Sequence, residues 1–255
     1  MEIQYHLGPS NDWSMQFASP SFDNAEQYIV NRDAVRLLSF DCPEQQMFVV
    51  YSGSTSTPAT DSSVTVTHPI TEALVRVFRG VVDGNNGELN GNKPAGLDDI
   101  PARLGGHVDW GAECYVVGGQ LWSSLVRLHP LPNANHRSSL GLVLLYLEVN
   151  NINVDVSELD TPQLNKAIRE SKRLLTVRRR VTPFSLLEEA GCTGVTRKNG
   201  VSIQFSDYDL DVSDPYGYYD ERHEEHAVSF IRSLLSDQER SITGKGFSSF
   251  RDSLS

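Results

Sequence analysis

Apolar residues recur at helical spacing along the middle of the chain. The spacing predicts an amphipathic helix from Ile70 to Val81, and Leu97–Leu104 suggests a short helix. Leu121–Leu128 marks a second amphipathic helix, which must end before Pro130 because the residue before a proline avoids the helical region. Residues 134–149 predict a third helix that is apolar on nearly every side after its first turn, which is typical of a buried central helix.

The last third of the chain mixes helical and strand patterns. Thr161-Pro162 is a typical helix start, and a helix should run from there towards Val177. Further helices are predicted over 183–190 and 220–236, with a strand over 201–205. Residues 244–255 predict a frayed tail.

The first third is mixed and leans towards β-structure, with strands predicted over 47–51 and 64–67. We therefore expect a mainly α fold with a buried central helix and β-containing additions at both ends, α+β overall. The predicted organisation is an N-terminal addition over 1–67, a helical core over 68–158, and a C-terminal extension over 159–255 that completes or caps the core.

Composition and charge favour a globular protein over a disordered, membrane-spanning or nucleic-acid-binding one. Of the 255 residues, 39% are hydrophobic and 22% charged, which predicts an ordered globular protein. The net charge of −11 makes duplex nucleic acid an unexpected partner. The longest apolar run, 140–147, is too short for a membrane span, and no signal peptide begins the chain, so a cytoplasmic location without membrane is expected. Cys42, Cys114 and Cys192 lie far apart and predict neither a disulfide framework nor a metal site.

One segment, His129-Pro-Leu-Pro-Asn-Ala-Asn-His-Arg137, joins the second helix to the buried one. The start of a helix presents unpaired N–H groups and a positive dipole end, which favour anions. Ala134 is small enough for a phosphate to approach the backbone, and Asn135 can cap or brace the turn. Arg137 could grip a phosphate, and His129 could serve as a general base. The alternative is an ordinary helix–loop–helix corner with a capping asparagine and a surface histidine and arginine.

This segment resembles the signature of the Fic/Doc (Fido) superfamily, and more closely that of its Doc (death-on-curing) branch. The Fic pattern is HPFx[DE]GNGRxxR. His129, Asn135 and Arg137 match both this pattern and that of the Doc branch. His136 stands where Fic proteins have a second glycine and Doc proteins a lysine, and Leu140 stands where Fic proteins have a second arginine. The resemblance covers roughly residues 69 to 155, with the signature more specific than its flanks.

The resemblance implies a helical core and an enzyme that uses ATP to transfer part of the nucleotide to a Ser, Thr or Tyr hydroxyl of a protein substrate. His129 would be the catalytic base. Mg²⁺ is implied only weakly, because Asn133 is neutral where the family often has an acid. The residues implied to bind the nucleotide phosphates are Asn133, Ala134, Asn135, His136 and Arg137.

The bulk of His136 favours transfer of the γ-phosphoryl group, as in Doc proteins, over AMP transfer, as in Fic proteins. The resemblance also suggests the toxin half of a toxin–antitoxin pair, silenced by a separate antitoxin or regulatory protein. The alternative from another class is a degenerate scaffold that binds nucleotide or a partner protein without catalysis.

Two further stretches carry expectations. Gly105–Val116 falls where the family has its target-binding flap, so Trp110 and Tyr115 would be either target contacts or core aromatics. His223-Glu-Glu-His226 departs from the HExxH zinc motif and should lie on an exposed helix face.

Overall fold

The computed structural model describes residues 2–7, 11–19, 21, 23, 35–42, 46–55, 60–82, 89–91, 96–131, 134–154, 161–189, 191–197 and 200–254. These residues form an α+β protein that is mainly helical, as the sequence predicts. The helices are α1 (Pro69–Val81), α2 (Gly96–His107), α3 (Cys114–Leu128), α4 (Asn135–Val149), α5 (Thr161–Arg178), α6 (Val181–Glu189), α7 (Pro215–Ser233) and α8 (Phe247–Ser253). The strands are β1 (Glu2–Leu7), β2 (Asn11–Ser19), β3 (Val35–Asp41), β4 (Gln46–Thr55), β5 (Thr60–Thr65), β6 (Leu89–Gly91), β7 (Gly194–Arg197) and β8 (Ser202–Gln204).

The chain divides into two compact units, each built from separate stretches of sequence. The first comprises Met1–Gly8, Ala59–Ile168 and Arg222–Ser255, and the second comprises Pro9–Pro58 and Arg169–Glu221. The first unit contains a three-stranded sheet of order β5-β1-β6, in which β1 runs antiparallel to β5 and parallel to β6.

Helix α4 is the central helix of the first unit and contacts α1, α3 and α8. Its apolar residues Leu142, Val143 and Tyr146 are fully buried, which confirms the predicted buried helix. Burying a side chain of this size stabilises the fold by about 1.5–3 kcal/mol, so these positions hold α4 in place. The prediction for α1 is likewise confirmed, and His68 caps that helix by accepting a hydrogen bond from the Ile70 N–H.

The predicted frayed tail is wrong. Residues 242–244 pair with 112–114, because the Cys114 N–H donates to the Ile242 carbonyl and the Gly244 N–H donates to the Ala112 carbonyl. Beyond them, α8 buries Phe250 completely. The Phe250 ring lies edge-on against Tyr146, with 5.1 Å between the centroids. Burial of one large aromatic side chain outweighs the tendency of a polar, serine-rich end to fray.

The second unit is organised around a five-stranded sheet of order β2-β4-β3-β7-β8, in which every neighbouring pair is antiparallel. A cluster of buried residues surrounds β7 and β8, and it includes Phe184 on α6 and Ile203 on β8. The strand predicted over 201–205 is therefore present over 202–204.

A disulfide between Cys42 and Cys192 contradicts the expectation that the cysteines form no such bond. The two residues are 150 positions apart in sequence, but their Cα atoms are 3.9 Å apart because β3 pairs with β7. The third cysteine, Cys114, is free and buried. Sequence spacing alone does not predict such a bond, because the pairing that creates it joins distant strands.

Candidate functional site

The candidate site is the loop between α3 and α4, together with the first turn of α4. We call it the α3–α4 corner and define it as residues 129–137. Asn133 lies outside the described residues, so the structure says nothing of the predicted metal position. The other five predicted site residues belong to the described part of the chain and lie within this corner.

His129 ends helix α3 with its side chain exposed. Its backbone has φ 53° and ψ 53°, in the left-handed region, and its N–H donates to the Leu125 carbonyl at 3.0 Å. A residue with a β-carbon pays about 1 kcal/mol for this conformation, so neighbouring contacts must hold it there. The turn directs the chain out of α3 at this residue.

Asn135 is the neighbour that closes the corner. It is buried in the first turn of α4, and its side chain forms two hydrogen bonds with the backbone of Leu131. The Leu131 N–H donates to Asn135 Oδ1 at 2.9 Å, and Asn135 Nδ2 donates to the Leu131 carbonyl at 2.7 Å. Asn135 Nδ2 also lies 3.4 Å from the imidazole nitrogens of His129. The predicted brace is therefore present, and it ties the residues after His129 to the start of α4.

Ala134 is the N-cap of α4 and is also left-handed, with φ 49° and ψ 17°. Its carbonyl accepts the Ser138 N–H at 2.9 Å, which starts the helical ladder. An alanine has no side-chain acceptor for the N–H groups of the first turn, so the capping that Ser, Thr or Asp usually supplies at this position is missing. A helix start without a side-chain cap, at the end of a short loop, has the local features of an anion site.

His136 is half-buried and packs against helix α3. The indole N–H of Trp122 donates to the His136 carbonyl at 3.0 Å, and the two rings meet edge to face with centroids 6.3 Å apart. Trp122 itself is fully buried. The imidazole thus has a packing partner on α3, so its size alone does not decide how a nucleotide would lie in the corner.

Arg137 is exposed on the first turn of α4. Among the residues that the structure describes, none forms a hydrogen bond or ion pair with its guanidinium. An unpaired guanidinium keeps all its donors available for an anionic ligand. Leu140, one turn further on, is buried, which is consistent with an apolar residue where Fic proteins carry a second arginine.

Two polar contacts of helix α7 were missed or misjudged from the sequence. His223 was expected on an exposed helix face, but it is fully buried and its Nδ1 lies 2.8 Å from the Ser123 hydroxyl of α3. His226 is also not free, since its Nε2 lies 2.9 Å from the Ala167 carbonyl. No local signal could reveal these contacts, because each joins residues from distant parts of the chain.

The segment Gly105–Val116, where the family has its target-binding flap, spans the end of one helix and the start of the next. Helix α2 occupies its first part and α3 begins at Cys114. The Trp110 indole N–H donates to the Leu104 carbonyl at 3.0 Å, and its ring packs against Phe247 with centroids 5.3 Å apart. Trp110 is therefore a packing residue of this unit, which supports the core-aromatic alternative.

These features describe an α+β protein with a tightly braced corner, where a histidine and an arginine are exposed at the start of a buried helix. The chain belongs to a family of unknown function (DUF8172), whose model matches residues 1–246. No curated protein and no solved structure matches the chain. None of the described helices is long and apolar enough to cross a membrane.

Proposed function

We propose that the chain is a protein-modifying transferase that binds the phosphates of ATP at the α3–α4 corner and transfers a phosphoryl or AMP group to a Ser, Thr or Tyr hydroxyl of a target protein. The observation that carries the proposal is the double hydrogen bond between Asn135 and Leu131. It braces the short loop that joins the exposed His129 to the helix start carrying the exposed Arg137. The resemblance of this segment to the Fic/Doc signature supplies the reaction class, by analogy.

The proposed chemistry assigns a role to each group. His129 accepts the proton of the target hydroxyl, and the hydroxyl oxygen attacks phosphorus. Attack at the γ-phosphorus releases ADP, whereas attack at the α-phosphorus releases pyrophosphate. The first turn of α4 and the Arg137 guanidinium receive the negative charge of the phosphates. Asn135 holds the backbone of the loop through its hydrogen bonds to Leu131 and is therefore a positioning residue.

Both products remain part of the proposal. His136 would favour phosphoryl transfer only if its side chain projected into the phosphate site, and the contact with Trp122 gives that ring another place to lie. Mg²⁺ enters no step of the proposal. The residue that the resemblance implies as its ligand, Asn133, lies outside the described residues.

The test separates binding from transfer with matched variants. Arg137→Ala should weaken ATP binding about 10- to 100-fold, because a charge-assisted hydrogen bond is worth about 1.5–3 kcal/mol. Arg79→Ala is the control, since Arg79 is another exposed helical arginine of the same unit. Titration calorimetry with ATP measures both. Equal losses in the two variants would show that Arg137 acts only through overall charge.

His129→Ala should keep ATP binding and lower transfer about 10²- to 10⁴-fold, which is the usual effect of losing a general base. Transfer is followed by incubating the protein with lysate proteins and ATP that is labelled separately at the α- and γ-phosphates. Label from the γ-position alone identifies phosphorylation, and retained α-label identifies AMP transfer. ATP binding without any transfer would favour the degenerate scaffold, and absence of ATP binding would refute the proposal.

A further inference from the structure

The Cys42–Cys192 disulfide lies directly beyond one end of a short strand ladder in the second unit. Strands β3 and β7 pair over four positions, and the last pair is Asp41 with Gly194. Cys42 follows that pair on one strand, and Cys192 precedes it by two residues on the other. Through β7, the ladder attaches the β7–β8 hairpin to the rest of the sheet.

The two sulfurs differ in access. Cys192 is 6% exposed and packs in the cluster that contains Phe184 and Ile203. Cys42 is partly exposed at the margin of the same cluster. A thiol or disulfide from solution therefore reaches the sulfur of Cys42 more readily than that of Cys192.

Contacts other than the disulfide hold Cys192 in place. Its N–H donates to the Leu187 carbonyl at 2.9 Å, which closes the end of α6, and Gly191 before it adopts the positive φ of 85° that this closure uses. On the other side, the Thr193 carbonyl accepts the Phe205 N–H at 2.9 Å. The backbone around Cys192 is thus held on both sides by hydrogen bonds that do not depend on the disulfide.

We propose that Cys42 and Cys192 form a reversible redox pair, in which Cys42 is the site of modification by small disulfides such as oxidised glutathione and Cys192 is the thiol that resolves the adduct. The disulfide that results fastens β3 to β7 and stabilises the attachment of the β7–β8 hairpin. The proposal is independent of the α3–α4 corner.

The chemistry balances in two exchanges. The Cys42 thiolate attacks one sulfur of oxidised glutathione, a bond forms between Cys42 and that sulfur, and a glutathione thiolate leaves. The Cys192 thiolate then attacks the Cys42 sulfur, forms the protein disulfide, and releases the second glutathione thiolate. The protein thiols lose two electrons in all, one glutathione disulfide is reduced to two thiols, and the two protons end on the released glutathione.

The test uses the full chain, fully reduced and then exposed to oxidised glutathione, with acid quenching, alkylation of remaining thiols and peptide mass mapping. Wild type should form the Cys42–Cys192 bond, while the buried Cys114 stays alkylatable after unfolding and serves as an internal control. Cys192→Ser should accumulate a glutathione adduct on Cys42. Cys42→Ser should form its adduct on Cys192 at least about tenfold more slowly, since that sulfur is buried.

Hydrogen exchange of wild type in the two redox states keeps the proposal testable even if a variant fails to fold. Amides of residues 194–197 should exchange at least about tenfold faster in the reduced protein, because the bond no longer fastens the ladder. Two free thiols at Cys42 and Cys192 after oxidation would overturn the proposal. Equal rates of adduct formation in the two variants, or equal exchange in the two redox states, would overturn it as well.

Discussion

Helices α3 and α7 are in close contact at Gly119. A β-carbon built on Gly119 would overlap the Val228 Cα and lie 2.6 Å from the Val228 backbone nitrogen. Backbone atoms cannot rotate away as a flexible side chain can, so Gly119→Ala must push the two helices apart. We predict that this single methyl group destabilises the first unit.

The magnitude follows from two opposing contributions. Overpacking of this kind typically costs about 1–3 kcal/mol, and the backbone obstacle favours the upper end of that range. Replacing glycine by alanine inside a helix returns about 1 kcal/mol. The net loss in the free energy of unfolding should therefore be about 2 kcal/mol, which lowers Tm by about 4–8 °C in a chain of this size.

Gly105→Ala is the matched control. Gly105 is also helical and in the same unit, but it is exposed and a β-carbon there would meet nothing within 4 Å. That variant should gain about 0.5–1 kcal/mol, so Tm should rise by about 1–4 °C. Tryptophan fluorescence in a Trp13→Phe background reports on the first unit, because the two remaining tryptophans, Trp110 and Trp122, belong to it. If Gly119→Ala unfolded at or above the wild-type Tm, the close approach of α3 and α7 would be wrong.

Three further predictions concern other contacts. Phe250→Ala should lower the free energy of unfolding by about 3–5 kcal/mol in urea denaturation, and a change below about 1 kcal/mol would mean that α8 is not docked. Burial, and less strongly the Arg251 guanidinium, lower the pKa of His68, so the unfolded state takes up a proton before the folded state as the pH falls through about 6.5, and stability declines. His68→Asn keeps an acceptor for the helix cap and should show a smaller loss of stability between about pH 7.5 and 5.5. An unchanged dependence of stability on pH would contradict this cause. Asn135→Asp removes the donor to the Leu131 carbonyl but keeps an acceptor, so it should cost about 1–3 kcal/mol in the same denaturation assay, and full stability would show that the brace contributes little.

Local features were predictable because the sequence encodes them over a few neighbouring residues. Helix periodicity placed α1 and α4 nearly to the residue, and it identified α4 as the buried helix. The α3–α4 corner could also be predicted from the sequence, since His129 and Asn135 are separated by only a short loop. An asparagine at the start of a helix commonly caps or braces the turn, so residue type and position allowed a bracing role for Asn135 to be anticipated.

Three features that escaped prediction join distant parts of the chain. Phe250 docks on the helices of the first unit, His223 reaches Ser123 across 100 residues, and Cys42 meets Cys192 across 150. No local pattern in the sequence predicts the contact partners of the serine-rich tail, the HEEH run or the three scattered cysteines. Hydrophobic periodicity therefore determined where the helices form and that α4 is buried. The tertiary structure alone decided which elements meet, because such a contact depends on packing and loop closure over the whole chain and not on the identity of neighbouring residues.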